Sequence, residues 1–152
     1  MPLFLLLTSL FLVDTRPGMI LVYTFYNLAF AIWLMYGFFS EVPPEIEEAA
    51  LLAGLSPLSV FRRISLPLVV PGLIATGILV FIFTWNEFFF ALVLTREVAK
   101  TFPAMTPQFF GAFRVEWGQM LAASTMGVIP PLVFGLLIRR YLVRGLSLGS
   151  VK

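Results

Sequence analysis

The sequence predicts an all-α membrane protein with three transmembrane helices and a helix–turn–helix in one of the loops that connect them. Of its 152 residues, 60% are hydrophobic and 12% are charged, which is about half the charged fraction of a typical soluble domain. Three stretches, at residues 20–39, 67–85 and 118–138, contain no charged residue. Each is close to the roughly 20 residues that a helix needs to cross the hydrocarbon core of a bilayer. We therefore interpret residues 1–152 as a single transmembrane domain.

The first element along the chain is a shorter apolar segment at residues 3–13. It is too short to cross a bilayer as a helix. It also lacks the basic residues and the small-residue cleavage site that flank the apolar part of a secretory signal. We expect an external segment that lies at the membrane interface or re-enters the membrane, or that is the end of a longer element.

Two of the spans contain residues that serve either packing or a pathway. In the first span, Tyr23, Asn27 and Tyr36 carry polar groups for helix packing, for the membrane interface or for the lining of a pathway. In the third span, small residues such as Gly127 favour close helix packing, with a pathway role as the alternative. The same span contains Pro130-Pro131, where we expect a kink.

Basic residues at the ends of the spans indicate an orientation. Three spans place loop 40–66 and the C-terminal tail on the same side of the membrane, and that side carries six basic residues against four on the other. Since Lys and Arg concentrate in cytoplasmic segments, we expect this loop and the C-terminus in the cytoplasm and the N-terminus outside. The six are Arg62, Arg63, Arg139, Arg140, Arg144 and Lys152, and the four are Arg16, Arg96, Lys100 and Arg114.

Loop 40–66 is the most polar region of the chain, and its first half predicts a short helix. Pro44 suits the first position of a helix, and three glutamates in the following turns complement the helix dipole. Gly54 follows the helix-forming residues 49–53 and is a natural C-terminal stop. The glutamates are Glu45, Glu47 and Glu48.

The second half of the loop predicts another short helix. Ser56 can cap it and Pro57 suits its first position. Arg62 and Arg63 would lie at its end, where positive charge is favourable, and Pro67 would open the second span. The two helices would form a rigid element fixed to a membrane span, which a soluble partner could push or pull.

Residues in this loop recur at a defined spacing: Glu48-Ala49-Ala50, then Gly54, then Ile64 and Leu66-Pro67. They match each fixed position of the pattern E-A-A-x3-G-x9-I-x-L-P, so the loop resembles the EAA loop of ABC importer permeases. The resemblance implies that the loop, together with its two arginines, carries a coupling helix that docks on a separate ATPase subunit, and that the glycine forms the turn. A plain interfacial connector is the alternative for a hairpin of this charge pattern.

Other parts of the chain resemble the carbohydrate, or maltose-type, branch of these permeases. They are Trp85-Asn86-Glu87-Phe88 and the tail from Tyr141 to Lys152, whereas Ala53 departs from the aspartate that commonly precedes the loop glycine in that branch. The resemblance implies import of a small polar solute, above all a sugar, across the bacterial or archaeal plasma (inner) membrane. It also implies three kinds of partner: ABC ATPase subunits, a second permease subunit and an extracytoplasmic solute-binding protein.

The number of spans leaves alternatives open. Members of this family usually have six spans, and the three predicted here resemble the C-terminal half. The chain is therefore either a working permease component or a non-functional or regulatory fragment. A structural membrane protein without transport activity is the further alternative.

Trp85, Asn86 and Glu87 form a candidate pathway site. They lie roughly 20 residues beyond Pro67, which at about 1.5 Å per residue is the thickness of the hydrocarbon core. Because a charge buried in the membrane is costly, Glu87 should face the other helices or water. Either these residues contact the solute, or they mark the membrane interface with Trp85 as an aromatic anchor.

The residue types that the sequence lacks narrow its chemistry. There is no cysteine and no histidine, which excludes thiolate metal sites and nucleophile–base pairs that need Cys or His. We predict no catalytic residue, no metal site and no cofactor in this chain. The sequence contains no G-x-x-x-x-G-K-[ST] phosphate loop, so ATP would be used by the partner ATPase. The net charge of +2 gives no indication of nucleic-acid binding.

Overall fold

The structure is a computed structural model that describes residues 2–109 and 117–148, with side chains of the second range described up to residue 138. The described residues form helices and the turns between them. Three helices are long and apolar enough to cross a membrane, at Arg16–Ser40, Pro57–Trp85 and Trp117–Ile138. The predicted all-α membrane fold is thus confirmed. The helices are α1 (Pro2–Ser9), α2 (Arg16–Ser40), α3 (Pro44–Leu52), α4 (Pro57–Val60), α5 (Leu66–Trp85), α6 (Phe89–Leu94), α7 (Phe102–Met105) and α8 (Trp117–Leu148).

The chain divides into two compact units. Among the described residues, the first unit takes the chain up to Leu28 and from Phe81 to Phe134, and the second takes Ala29 to Val80 and the chain from Gly135 onwards. Each long helix therefore contributes one part to each unit. The Trp85 region belongs to the first unit, and loop 40–66 belongs to the second.

The core of the first unit joins the short helices to the start of α2. α1 falls within the apolar segment predicted at 3–13, with Pro2 added, and it buries Leu7. Leu7 packs in a cluster with two residues of α2, two of α6 and one of α7, which are Met19, Val22, Ala91, Leu94 and Ala104. Burial of these apolar side chains is what fixes the short helices, since segments of four to eight residues are marginal as isolated helices.

α2 begins four residues before the predicted span. Thr15 caps it, because its hydroxyl accepts a hydrogen bond from the N–H of Gly18 (3.1 Å) and donates to the carbonyl of Leu12 (2.8 Å). Pro17 occupies the first turn, where a missing N–H costs little. The apolar pattern marks where the membrane-compatible part starts, and the cap marks where the helix starts.

The second half of loop 40–66 differs from the prediction. A separate helix was expected to end at Arg62 and Arg63, but the helix that starts at Pro57 continues to Trp85 through a π-helical turn at Phe61–Ser65. The N–H of Leu66 bonds to the carbonyl of Phe61 in this wider turn. The widening falls immediately before Pro67, which has no N–H and would crowd a regular helix. The arginines therefore lie inside a continuous helix, and the predicted helix-end effect does not apply to them.

In the second unit, α2 and α5 approach each other closely at Gly72. The ring of Phe38 occupies the space where a Cβ on Gly72 would lie. One turn further along, the hydroxyl of Thr76 donates to the sulfur of Met35 at 3.5 Å. A glycine at this point lets the two helices pack at short distance, as in other membrane helices.

Candidate functional site

The turn of the loop is built around Gly54. This residue has φ +87°, in the left-handed region that favours glycine. Its N–H donates to the carbonyl of Leu51 (2.9 Å), and the N–H of Leu55 donates to the carbonyl of Ala50 (3.2 Å). This pair of bonds is the Schellman arrangement that closes a helix C-terminus. The structure thus agrees with the prediction that Gly54 ends the first helix, and the turn fixes the direction in which the second helix leaves.

The second helix of the loop starts as its sequence indicates. The Ser56 hydroxyl accepts from the N–H of Ser59 at 3.4 Å and lies 3.0 Å from the Ser59 hydroxyl, and Pro57 is at the first position. A capped start directly after a fixed turn leaves the connection between the helices little freedom. The loop is therefore a rigid hairpin of α3 and α4, followed by the π-helical turn.

The two faces of α3 differ in character. Glu48 and Ala49 are exposed, whereas Ala50 is buried and Glu47 is half-buried. Because residues three apart share one face of a helix, Glu47 and Ala50 face the protein, and Glu48 faces away from it. Of the two neighbouring glutamates, the one in the E-A-A pattern is the one available to a partner.

The outer end of the hairpin is apolar and exposed. Leu52 is 89% exposed, Leu58 65% and Leu51 45%, and they stand on both sides of the Gly54 turn. The remaining fixed residues of the family pattern lie at the other end of the hairpin: Ile64 and Leu66 are half-buried, and Pro67 is exposed. Arg62 and Arg63, which precede them in the variable part of the pattern, are exposed as well. We refer to Leu51, Leu52 and Leu58 as the leucine tip.

The inner side of the hairpin is tied to its surroundings by two contacts. The Ser65 hydroxyl donates to the Glu47 carboxylate at 2.5 Å. The ring of Phe61 stacks on that of Phe39 at the end of α2, with centroids 6.0 Å apart and planes at 21°. From the sequence, Glu47 was predicted only as a charge near a helix start. Its spacing of three residues from Ala50 places the two on one face of α3, but nothing in the sequence marks that face as the inner one.

The candidate pathway residues take different roles in the first unit. The indole N–H of Trp85 donates to the carbonyl of Gly127 in α8 at 3.0 Å, and its ring stacks on Phe102 with centroids 6.3 Å apart. Phe102 in turn occupies the space where a Cβ on Gly127 would lie. Trp85 and Gly127 thus serve the packing of α5 against α8. Asn86 is exposed, and its amide donates to the carbonyl of Ile82 at 2.7 Å.

Glu87 is held by donors from two elements. Its carboxylate accepts from the Tyr23 hydroxyl of α2 (3.1 Å) and from the backbone N–H groups of Phe90 (2.8 Å) and Ala91 (3.2 Å). It therefore acts as a cap for the start of α6, where free N–H groups point at a negative charge. This agrees with the expectation that Glu87 faces other helices.

A second polar contact lies one helical turn after Tyr23 along α2. Asn27 is 4% exposed, and its amide donates to the Thr84 hydroxyl (3.1 Å) and to the carbonyl of Tyr23 (2.9 Å). Together with the Tyr23–Glu87 bond, it joins α2 to the end of α5. Of the three uses expected for Tyr23 and Asn27, these contacts correspond to helix packing. Tyr36 is 74% exposed and takes no part in this contact.

The structure adds a residue to which the sequence analysis gave no role. Asp14 accepts hydrogen bonds from four consecutive backbone N–H groups, those of Arg96, Glu97, Val98 and Ala99, at 2.9–3.2 Å. The Arg96 N–H does most to hold the pKa of the Asp14 carboxyl well below its usual range, and partial burial opposes this shift. Asp14 thus fixes the loop after α6. Its partners are 82–85 residues away, so nothing local in the sequence marks it.

A chain with three membrane-compatible helices and a rigid hairpin at the base of one of them has the layout of a polytopic membrane protein. Comparison with known proteins agrees with this layout. Residues 1–148 match the family described as "Binding-protein-dependent transport system inner membrane component". The chain belongs to this family, and the resemblance seen in the loop is confirmed.

Curated relatives cover the chain from end to end. The probable ABC transporter permease protein y4oR of Sinorhizobium fredii is 44% identical over 99% of this chain and 54% of its own length. The trehalose transport system permease protein SugB of Mycobacterium tuberculosis is 40% identical over 99% of this chain and 56% of its own length. The trehalose/maltose transport system permease protein MalG of Thermococcus litoralis is 36% identical, over 99% and 55%. The chain thus spans about half the length of these relatives.

Proposed function

We propose that this chain is a membrane-spanning component of an ATP-driven importer, and that the segment Pro44–Ile64 couples it to a separate ATPase subunit. Family membership supports the general role. The observation that carries the coupling role is the leucine tip. Leu52 is 89% exposed at a turn fixed by Gly54. Removal of an exposed leucine side chain from water by a partner lowers the free energy. A cluster of exposed apolar residues with a charged rim is typical of a protein-binding surface.

The charged residues around the tip fit a partner as well. Glu48 is exposed beside the tip, and Arg62 and Arg63 are exposed at the other end of the hairpin. Such rim charges favour orientation and the rate of encounter more than affinity. We propose that the leucine tip enters a groove of the ATPase and that Glu48 and the arginines set its register. ATP would be bound and hydrolysed by that partner and not by this chain.

The orientation follows from the same proposal. The hairpin would lie in the cytoplasm, with the loop fixed by Asp14 on the opposite side of a bacterial or archaeal plasma (inner) membrane. A second permease subunit and an extracytoplasmic solute-binding protein complete the proposed assembly. Arg114 and Lys152, which entered the count of basic residues, lie outside the described residues.

For the solute we propose a sugar. The relatives SugB and MalG are named for trehalose and for trehalose/maltose, and the relative DasC of Streptomyces coelicolor is named for diacetylchitobiose. Of the three candidate pathway residues, Trp85 and Glu87 are engaged in packing and capping. Asn86 is exposed, and we propose it as the residue of this group that contacts the solute.

The docking of the loop can be tested by capture of the ATPase. The gene product that carries this chain would be expressed at its full encoded length with its co-encoded ATPase, and binding would be measured in detergent. We expect Leu52→Ser and Leu58→Ser each to weaken binding by about tenfold, since truncation of a central apolar anchor costs more than about 1 kcal/mol. Glu48→Lys should weaken it less and in a salt-dependent way.

Leu10→Ser is the matched control, because Leu10 is 55% exposed but lies in the first unit, outside the hairpin. It should bind like the wild type. If the wild type inserts in the membrane and captures no ATPase, the loop is only a connector. The chain is then better described by the alternative of a structural membrane protein without transport activity. If Leu10→Ser binds as poorly as Leu52→Ser, the loss reflects general destabilisation and the leucine tip is not the docking surface.

A further inference from the structure

The inner side of the hairpin carries a contact that docking does not explain. Ser65 is 3% exposed and Glu47 is half-buried, so neither side chain is available to a partner on the outer face. Their hydrogen bond of 2.5 Å joins the first turns of α3 to the last residue of the π-helical turn, 18 residues further along. A bond this short between a hydroxyl and a carboxylate is of the strong, charge-assisted kind.

This contact reaches across the π-helical turn, into the segment where the backbone between the loop and α5 lacks regular helical bonds. In the π-helical turn the N–H of Leu66 reaches back to the carbonyl of Phe61, one residue further than in an α-helix. Pro67 follows and has no N–H to donate. Two successive positions therefore lack the regular bonds that stiffen a helix. Without a side-chain contact across this point, displacement of the hairpin would bend the turn instead of moving α5.

The stacked pair Phe61–Phe39 cannot replace this contact. It joins the start of the π-helical turn to the end of α2, so it holds the turn against α2 but does not connect the hairpin to α5. The Gly54 turn closes the outer end of the hairpin, and Glu47–Ser65 closes its base. The contact at the base connects α3 to Ser65, the residue immediately before α5.

We propose that the Glu47–Ser65 hydrogen bond is the link that passes movement of the docked hairpin to α5. Both residues are positioning residues: they touch neither solute nor ATPase and act through α5. The inference rests on the proposed coupling role of the loop. It adds the contact through which movement of the hairpin reaches the membrane-spanning helix α5. It assigns roles to two residues, Glu47 and Ser65, that are not among the fixed positions of the E-A-A pattern.

The test separates binding of the ATPase from movement of α5. Residues 1–152 contain no cysteine. With any cysteine elsewhere in the assembly replaced by serine, Leu73→Cys, at an exposed position on α5 in the second unit, accepts a single spin label. The labelled protein would be assembled with its co-encoded subunits, and the spectrum would be compared without nucleotide and with ATP and vanadate. In the wild-type background we expect a nucleotide-dependent change in the spectrum.

In Ser65→Ala and Glu47→Ala we expect capture of the ATPase at wild-type affinity but loss of the nucleotide-dependent change at position 73. Ser65→Thr keeps the hydroxyl and should restore the change. In the double variant Glu47→Ala/Ser65→Ala, the nucleotide-dependent change should be no smaller than in either single variant, because the two residues act through one bond. Ser40→Ala is the matched control: it removes a hydroxyl that bonds only to the carbonyl of Tyr36 in its own helix, outside the docking segment, and it should behave as the wild type.

The outcomes separate this inference from the function on which it rests. If Ser65→Ala keeps the full nucleotide-dependent change, the link is wrong while the coupling role of the loop stands. If Ser65→Ala loses capture of the ATPase as well, the bond shapes the docking surface and does not transmit movement. If the wild type captures no ATPase, the proposed function fails, and the link fails with it.

Discussion

At the scale of single residues, three carboxylates are each matched to a different kind of donor. Asp14 is matched to four backbone N–H groups, Glu87 to a tyrosine hydroxyl and two N–H groups, and Glu47 to a buried serine hydroxyl. In each case at least one donor comes from a different element of the chain. A buried or partly buried carboxylate is tolerated on these terms, and each one fixes two segments relative to each other within its unit.

Replacement of Asp14 should loosen the loop after α6. In Asp14→Asn, one acceptor oxygen becomes an amide that points a donor at the N–H groups of Glu97 and Val98. We expect the melting temperature in detergent to fall by on the order of 5 °C. Glu97→Gln is the matched control, since it removes a charge from the same loop and leaves the Asp14 contacts in place; it should melt like the wild type.

The effect of Asp14 depends on pH in a defined direction. Its pKa is lowered in the folded protein from an ordinary value of 3.8, so its contribution to stability is present above that value and is lost as the pH falls below it. The gap in melting temperature between wild type and Asp14→Asn should therefore be constant from pH 7 to 5 and narrow below about pH 3.8. A gap that closes near pH 6 would contradict this assignment.

Local signals explain which residue roles could be predicted. Gly54 was predicted because a helix stop depends on the backbone of the residue itself. The contacts of Asp14 and of Ser65 could not be predicted, since their partners lie 82–85 and 18 residues away. The donors to Asp14 are backbone N–H groups, which every residue except proline carries and which no sequence pattern distinguishes.

At the scale of elements, α5 has two glycines in different surroundings. Gly72 lies under the ring of Phe38, whereas among the described residues nothing lies within 4 Å of the position of a Cβ on Gly77. Both glycines lie within the predicted span 67–85, and the sequence alone does not distinguish them. The structure separates a glycine required by a helix crossing from one that is not.

This difference predicts opposite effects for two alanine substitutions. Gly77→Ala should raise stability by up to about 1 kcal/mol, as expected from helix propensity. Gly72→Ala should lower it by about 1–3 kcal/mol, because the ring of Phe38 must move. Denaturation in mixed micelles measures both, and the double variant Gly72→Ala/Phe38→Leu should recover part of the loss. Equal effects at the two positions would show that the close approach at Gly72 does not contribute to stability.

The bounds of the elements were predictable to the extent that they follow from composition. The spans expected at 20–39, 67–85 and 118–138 fall within α2, α5 and α8. The helices extend beyond the predicted spans, and at the start of α2 the cap sets the boundary. The continuity of the helix through Arg62 and Arg63 was missed. The pattern of serine cap, arginines and proline is common to a helix end and to a π-helical turn, and only backbone hydrogen bonds separate the two.

At the scale of the whole molecule, exposure of the long helices is the main feature. Few residues of Trp117–Ile138 are buried within this chain, fewer than in Arg16–Ser40 or Pro57–Trp85. Apolar side chains such as Leu121, Met126 and Leu136 are more than half exposed. This apolar surface fits contact with lipid.

The absence of native cysteine permits a direct test of orientation. Ser56→Cys would place a thiol in the hairpin and Val98→Cys a thiol in the loop held by Asp14, both at exposed positions. In intact spheroplasts, a membrane-impermeant maleimide should label the cysteine at 98 and not the one at 56, and permeabilisation should make both reactive. The reverse pattern would invert the proposed topology and remove the hairpin from the reach of a cytoplasmic ATPase.

The π-helical turn also gives the chain a place to change length. A π-helical turn contains one residue more than the α-helical turn it replaces, and the wider turn absorbs that residue while the helix on either side keeps its phase. Loss of one residue from Phe61–Ser65 would therefore leave a regular helix with the leucine tip facing the same way. One residue inserted in the regular helix of α5 would instead rotate the tip by about 100° around the helix axis, so the direction of the hairpin depends on where the chain changes length.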